Sequence, residues 1–189
     1  MDAIEYLTSK HREMEDLLDE LEDADDPDRR TELLRDATAE LARHMAIEER
    51  VLFPAVREEL APRDPETFGD DVLEALEEHR VLKLVLDELT DMDPDDERFP
   101  AKAEVLAEQV EHHHEEEEDD LFPALREAWD RARLDQLGVE LREAEESAPT
   151  RPHPTLPDEG RFVAAAQRFM AAIDKARDAA REAADDLTD

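Results

Sequence analysis

Six residues hold the chemistry this sequence can do: His11, His44, Glu48, His79, His113 and Glu117. Between Leu41 and Pro54, and again between Gln109 and Pro123, the chain writes a His, a Glu four residues later and a Leu-Phe-Pro beyond. A His and a Glu four apart on a helix lie one above the other, so each copy offers an imidazole and a carboxylate to one point in space. That is how a helix presents two metal ligands. A carboxylate in a low-dielectric core costs several kcal/mol unless neutralised, and two facing one another force one to hold a proton. Two divalent cations remove that cost. Imidazole with carboxylate suits iron, manganese or zinc, and two Glu set between two pairs of His can each bridge both ions. The alternative is a dry bundle with a buried layer of hydrogen-bonded histidines, which is the ordinary reading of any one of them alone. Four histidines at repeat-related places weaken it.

Helices must position these groups. Three glycines, with prolines clustered between apolar-periodic segments, leave little room for strands and predict an all-α fold. The first helix, Asp2 to Glu22, carries Ile4, Leu7, His11, Met14, Leu18 and Leu21 on one seam. The second, Arg29 to Leu60, carries Leu34, Ala37, Leu41, His44, Glu48, Val51 and Ala55, and Pro54 should kink or loosen it just past the pair. The third, Glu66 to Thr90, repeats the first, with His79 to Leu89 aligned on His11 to Leu21. The fourth, Phe99 to Arg126, puts Phe99, Ala103, Leu106, Val110, His113, Glu117 and Ala124 on its stripe. A helical continuation runs past Trp129 to Ser147, with Gly138 as the place for a bend.

Two hairpins result, each a His helix followed by a His-x3-Glu helix. Short links make sequential helices antiparallel neighbours, so the four close into an up-down-up-down four-helix bundle with an additional C-terminal helix. The expected organisation is a bundle over 1–147, a Pro-rich linker over 148–158 and an amphipathic helix over 159–189. On that last helix Phe162, Ala166, Phe169, Ile173, Ala176, Ala180 and Leu187 form a seam. It can lie on its own bundle or meet a second chain in a homodimer, and spacing does not choose.

Composition narrows the partners. With 57 acidic and 23 basic residues, the formal charge of -34 repels phosphate backbones and anionic membranes, so neither nucleic acid nor membrane is expected. This acid-rich balance, with only four lysines, resembles that of proteins from halophilic archaea. In molar salt the Debye length falls to about 3 Å, so the fold should be weaker in dilute buffer and melt higher as salt is added. Without cysteine, any metal is held by nitrogen and oxygen. No leader-like or membrane-spanning run is visible, which predicts a soluble, cytoplasmic protein.

Other residues near the stripes carry less. Glu15, Glu49 and Glu118 read as solvated helix faces in so acidic a chain. His112 and His114 should flank the stripe, facing solvent or a neighbouring helix; His153 sits in the linker, and Tyr6 lies one turn from His11 as a packing residue.

The order His, His-x3-Glu-x3-Leu-Phe-Pro, given twice, resembles the hemerythrin-like, or HHE cation-binding, domain family over roughly residues 1–126. The resemblance implies a bundle holding two Fe ions joined by a bridging oxo or hydroxo group, Mn or Zn being the other metals the donors suit. His11 and His44 would serve one iron, His79 and His113 the other, with Glu48 and Glu117 bridging. Dioxygen or a similar small molecule, peroxide or nitric oxide, would be the partner. Two departures matter: Lys83 stands where oxygen-carrying hemerythrins place a second third-helix His, and Glu117 stands where they use Asp. Each ion would then keep one open position, which suits reacting, sensing or holding iron better than storing one dioxygen reversibly. No other catalytic constellation is visible. A di-iron oxidase or peroxidase and a metal-free helical interaction module are the rival readings.

Overall fold

The computed structural model describes residues 1–156 and 163–185. Among them all regular structure is helical. Helix α1, Ala3–Glu22, starts in a capping box: Asp2 accepts from the Glu5 backbone at 2.8 Å and Glu5 accepts from the Asp2 backbone at 3.0 Å. Helix α2, Pro27–Ile47, starts with Asp26 as N-cap and Pro27 in its first turn. Several of the many acids are therefore helix starts.

Beyond Ile47 the backbone widens into a π turn, Glu48–Leu52, before α3, Phe53–Glu59. Phe53 N–H bonds to Glu48 O, and Pro54 has no N–H to continue the α ladder. The loosening expected at Pro54 is thus a π turn that holds Glu48 itself. The short α4, Pro65–Phe68, precedes α5, Asp70–Thr90, so the expected third helix is broken at Gly69. Helix α6, Phe99–Glu116, ends in a second π turn, Glu117–Leu121, followed by α7, Phe122–Ala128. Each π turn adds one residue to its helix, so the inward stripe shifts by one. Leu52, Phe53 and Val56 are buried in place of Val51 as the lining position, and Leu121, Phe122 and Leu125 are buried in place of Ala124.

The expected continuation past α7 breaks at Trp129, whose backbone is extended, and Asp130 caps a new helix, α8, Arg131–Glu145. Gly138 is not a bend. It lies within α8 where the backbone of Met1 to Ala3 runs so close that a Cβ would come within 2.8 Å of Met1 O.

Helices α1, α2, α5 and α6 form a closed circuit, each packed on the next. The apolar core falls into two clusters. One contains Leu7, Ile47, Phe53, Val56, Phe122 and Leu125; the other contains Met14, Leu41, Met45, Leu86, Phe99 and Leu106. Each such side chain contributes roughly 1.5–3 kcal/mol on burial. Between them along every helix of the circuit sits a histidine.

Helix α9, Val163–Asp185, folds back onto the first π turn. Its inward residues are Val163, Gln167 and Asp174, not the apolar seam read from the sequence. Phe169 is 67% exposed, while Phe162 and Leu187, and the expected linker boundary, lie outside the described residues. Asp174 is the reason: buried, it accepts from the Thr150 backbone at 3.2 Å and from His153 Nε2 at 3.0 Å. His153 therefore has a structural partner. Among the described residues no helix is long and apolar enough to cross a membrane.

Candidate metal centre

All six residues singled out in the sequence are buried in one layer between the two apolar clusters. His11 comes from α1, His44 from the last turn of α2, Glu48 from the first π turn, His79 from α5, His113 from α6 and Glu117 from the second π turn. Glu48 spans the layer. Its Oε1 lies 3.1 Å from His44 Nε2 and its Oε2 lies 3.3 Å from His79 Nε2. Glu117 Oε2 lies 3.3 Å from His11 Nε2, and His79 Nε2 faces His113 Nε2 at 3.1 Å.

His114 corrects the expectation that it flanks the stripe. Adjacent residues on a helix point about 100° apart, so His113 and His114 straddle the inward direction and both reach the interior. His114 stacks on His11 with ring centroids 3.9 Å apart and planes 6° apart. His112, the third of the run, is exposed and pairs with Glu116 at 3.3 Å.

The layer therefore has two unequal halves. Ligand atoms of His11, His44 and His114 lie within 4.8 Å of one another, as do those of His11, His44, Glu48 and Glu117; the other half gathers Glu48, His79 and His113. Where the resemblance places a second α5 histidine, Lys83 ion-pairs with Glu49 instead.

Three acids read as solvated, Glu15, Glu49 and Glu118, turn out to orient histidines, and Glu78, not singled out in the sequence, is a fourth. His11 Nδ1 donates to Glu118 at 2.8 Å, His79 Nδ1 to Glu49 at 3.0 Å, His113 Nδ1 to Glu78 at 2.8 Å and His114 Nδ1 to Glu15 at 3.3 Å. A carboxylate on Nδ1 fixes the ring and leaves Nε2 as the free lone pair, as in the carboxylate–histidine arrangement around metals. The sequence held one signal for Glu49 and Glu118: each directly follows a central Glu. Tyr6, in contrast, turns away from the layer and donates to Glu145 on α8.

Chemistry separates the halves further. Burial lowers the His11 and His44 imidazoles below their ordinary value of 6.5, and burial with the neighbouring His11 and His44 lowers His114. In the other half burial is outweighed. The nearby Glu48 carboxylate and the Glu49 hydrogen bond raise His79, and Glu117 with the Glu78 hydrogen bond raises His113 to about 9. Glu48 is held well below the usual carboxylate range, against burial, by His44 and His79, while burial and Glu48 push Glu117 up to about 8.

Several polar atoms of the layer find no hydrogen bond: both oxygens of Glu48 and of Glu117, His11 Nε2 and both ring nitrogens of His44. Leaving buried groups orphaned costs about 1–3 kcal/mol each, more when charged. A cation accepts such lone pairs together, so nitrogen and carboxylate oxygen in this arrangement fit first-row metal chemistry.

Fold and layer define an all-helical bundle whose core is interrupted by a histidine and carboxylate cage. The chain belongs to the hemerythrin HHE cation-binding domain family, whose model matches residues 2–125. It is 27% identical over 169 residues to a hemerythrin-like protein of Schizosaccharomyces pombe, covering 89% of this chain and 81% of that protein. The crystal structure of a hemerythrin HHE cation-binding domain-containing protein from Mycobacterium kansasii shares the fold, with a TM-score of 0.65 at 23% identity over 77% of this chain and 86% of that one.

Proposed function

We propose that the chain is a hemerythrin-like non-haem di-iron protein that binds or senses dioxygen or a related small molecule such as peroxide or nitric oxide. What carries the reading is Glu48: a fully buried carboxylate whose two oxygens face histidines of opposite halves with no hydrogen-bond partner. A carboxylate set that way joins two cations. His11, His44 and His114 would hold the first, His79 and His113 the second, with Glu48 and Glu117 between them. Bound there, an iron pair supplies the redox chemistry and the coordination position for the small molecule.

The chain's own part is positional. Carboxylates on Nδ1 aim four rings, the apolar clusters on either side exclude water, and His113 and Glu117 hold protons that a cation displaces. With His114 included, the first half offers three imidazoles and the second two. On this reading the first half is the more crowded, and the second, beside a cavity lined by His113 and Glu117, the more open. That inequality favours small-molecule binding at one metal.

Elemental analysis of protein loaded anaerobically with ferrous iron tests the proposal. About two irons per chain, with a visible absorption band appearing on exposure to air, is the expected result. Iron-free protein after loading would leave the layer as a structural polar core.

A further inference from the structure

A cavity of about 410 Å³ lies between α4, α5 and the second π turn, and its walls are graded. Glu66, Glu74 and Asp120 are exposed at its mouth, Asp71, Glu78 and Glu116 are half-buried further in, and His113 and Glu117 are buried at its floor. No lysine or arginine is among the described residues that line it. Composition does not force this, because a larger cleft of about 660 Å³ beside α2 and α9 is lined by Arg35, Arg43, Arg151 and Arg181. At the floor, both Glu117 oxygens are buried without a hydrogen-bond partner. Beside the half-buried wall residues Glu78 and Glu116 stands the exposed His112, and ligand atoms of the three lie within 4.8 Å of one another; Glu78 is hydrogen-bonded to His113 Nδ1 at 2.8 Å.

We propose that this cleft is the path by which a divalent cation reaches the buried layer, with Glu78 and Glu116 of its wall and the exposed His112 beside them as a staging site. The proposal rests on the dinuclear reading above. A single-sign cleft with low-dielectric walls focuses the field and raises the local concentration of counter-ions, accelerating association 10- to 1,000-fold. Each step inward exchanges water for carboxylate oxygen, so the ion sheds its hydration shell gradually. Cation capture then proceeds from exposed acids to the staging group, and from there across Glu78 and His113 to Glu117.

Cobalt(II) loading of the full chain, followed by its visible absorption in stopped flow, tests the path. The double variant Asp71→Asn, Glu74→Gln should load about tenfold more slowly at low ionic strength and match the parent in molar salt, with the same final content. The control variant Glu97→Gln, Glu104→Gln, which removes equal charge from the N-terminal end of α6 and the turn before it, should load within about twofold of the parent. Equal slowing by both pairs, or no slowing by the first, overturns the path. A third, weaker cobalt equivalent present in the parent and absent from His112→Ala supports the staging site; its presence in both overturns that site. Parent protein that takes up no cobalt overturns the path and the centre together, whereas a loaded parent with an unimpaired first variant overturns the path alone.

Discussion

The two halves of the buried layer are built from the same hairpin plan and differ in what surrounds them. Around His11, His44 and His114 the rings touch one another, and burial holds all three below their ordinary pKa, so they present neutral lone pairs near neutral pH. Around His79 and His113 the neighbours are Glu48, Glu49 and Glu78, and both rings are pushed upward, His113 to about 9. The repeat fixes where a backbone places a histidine; the partners at Nδ1 and the third ring decide what that histidine does. On the proposed dinuclear reading, one half would accept a cation directly and the other would first give up protons, so the first half should fill before the second.

The largest effect is expected from cutting what joins the halves. Glu48→Gln removes the carboxylate shared between them and should drop iron from about two per chain to well under one, by elemental analysis. Next, His113→Ala should leave about one iron per chain, held by the first half; two retained irons would show that His113 is not a ligand. The difference in proton content gives the third expectation. His113 keeps its proton up to about 9, so affinity of the second half should rise with pH toward that value while the first half stays flat, measured by competition titration. The empty fold responds oppositely. A raised histidine pKa contributes stability fully present below 6.5 and lost as pH rises through about 9, and Glu117, raised to about 8, has the same sign. Empty protein should therefore melt lower at pH 9 than at pH 6.5, and loaded protein should not follow it.

Smaller effects sharpen the contrast. His114→Ala should weaken the first half about tenfold and leave proton release by the second unchanged. Last, Gln167 Nε2 on α9 donates to Glu49 at 3.2 Å, and Glu49 accepts from His79 Nδ1. Orienting partners of metal ligands are worth 10- to 100-fold in affinity. Gln167→Leu, one contact further out, should cost the second half tenfold or less and the first half nothing.

Much of this arrangement was legible in the residues. Ile4, Leu7, His11, Met14, Leu18 and Leu21 are all buried as the α1 seam predicts, because that helix runs unbroken on one period. The six central residues converge because the pattern that marks the core also marks them. His114 was hidden by reading one inward position per turn, when three consecutive histidines bracket the interior from both sides. Glu15, Glu49, Glu78 and Glu118 were hidden by contrast: in a chain with 57 acids, an acid beside a histidine carries no signal until the partner helix is known. Helix α9 misled for a different reason. Its strongest apolar seam is not its contact face, since polar partners, Glu49 on the bundle and Thr150 and His153 in the segment after α8, select Gln167 and Asp174.

The paired π turns have a consequence for how such a bundle can change. Each inserts one residue at the level of the polar layer, which rotates the inward direction by about 100° between the two ends of its helix. The layer is thus a phase boundary, like a dislocation between two lattices in different register. Insertions or deletions of a whole turn at one end would leave the other end's register intact, whereas removing a single residue from Glu48–Leu52 would swing Leu52, Phe53 and Val56 out of their cluster at once.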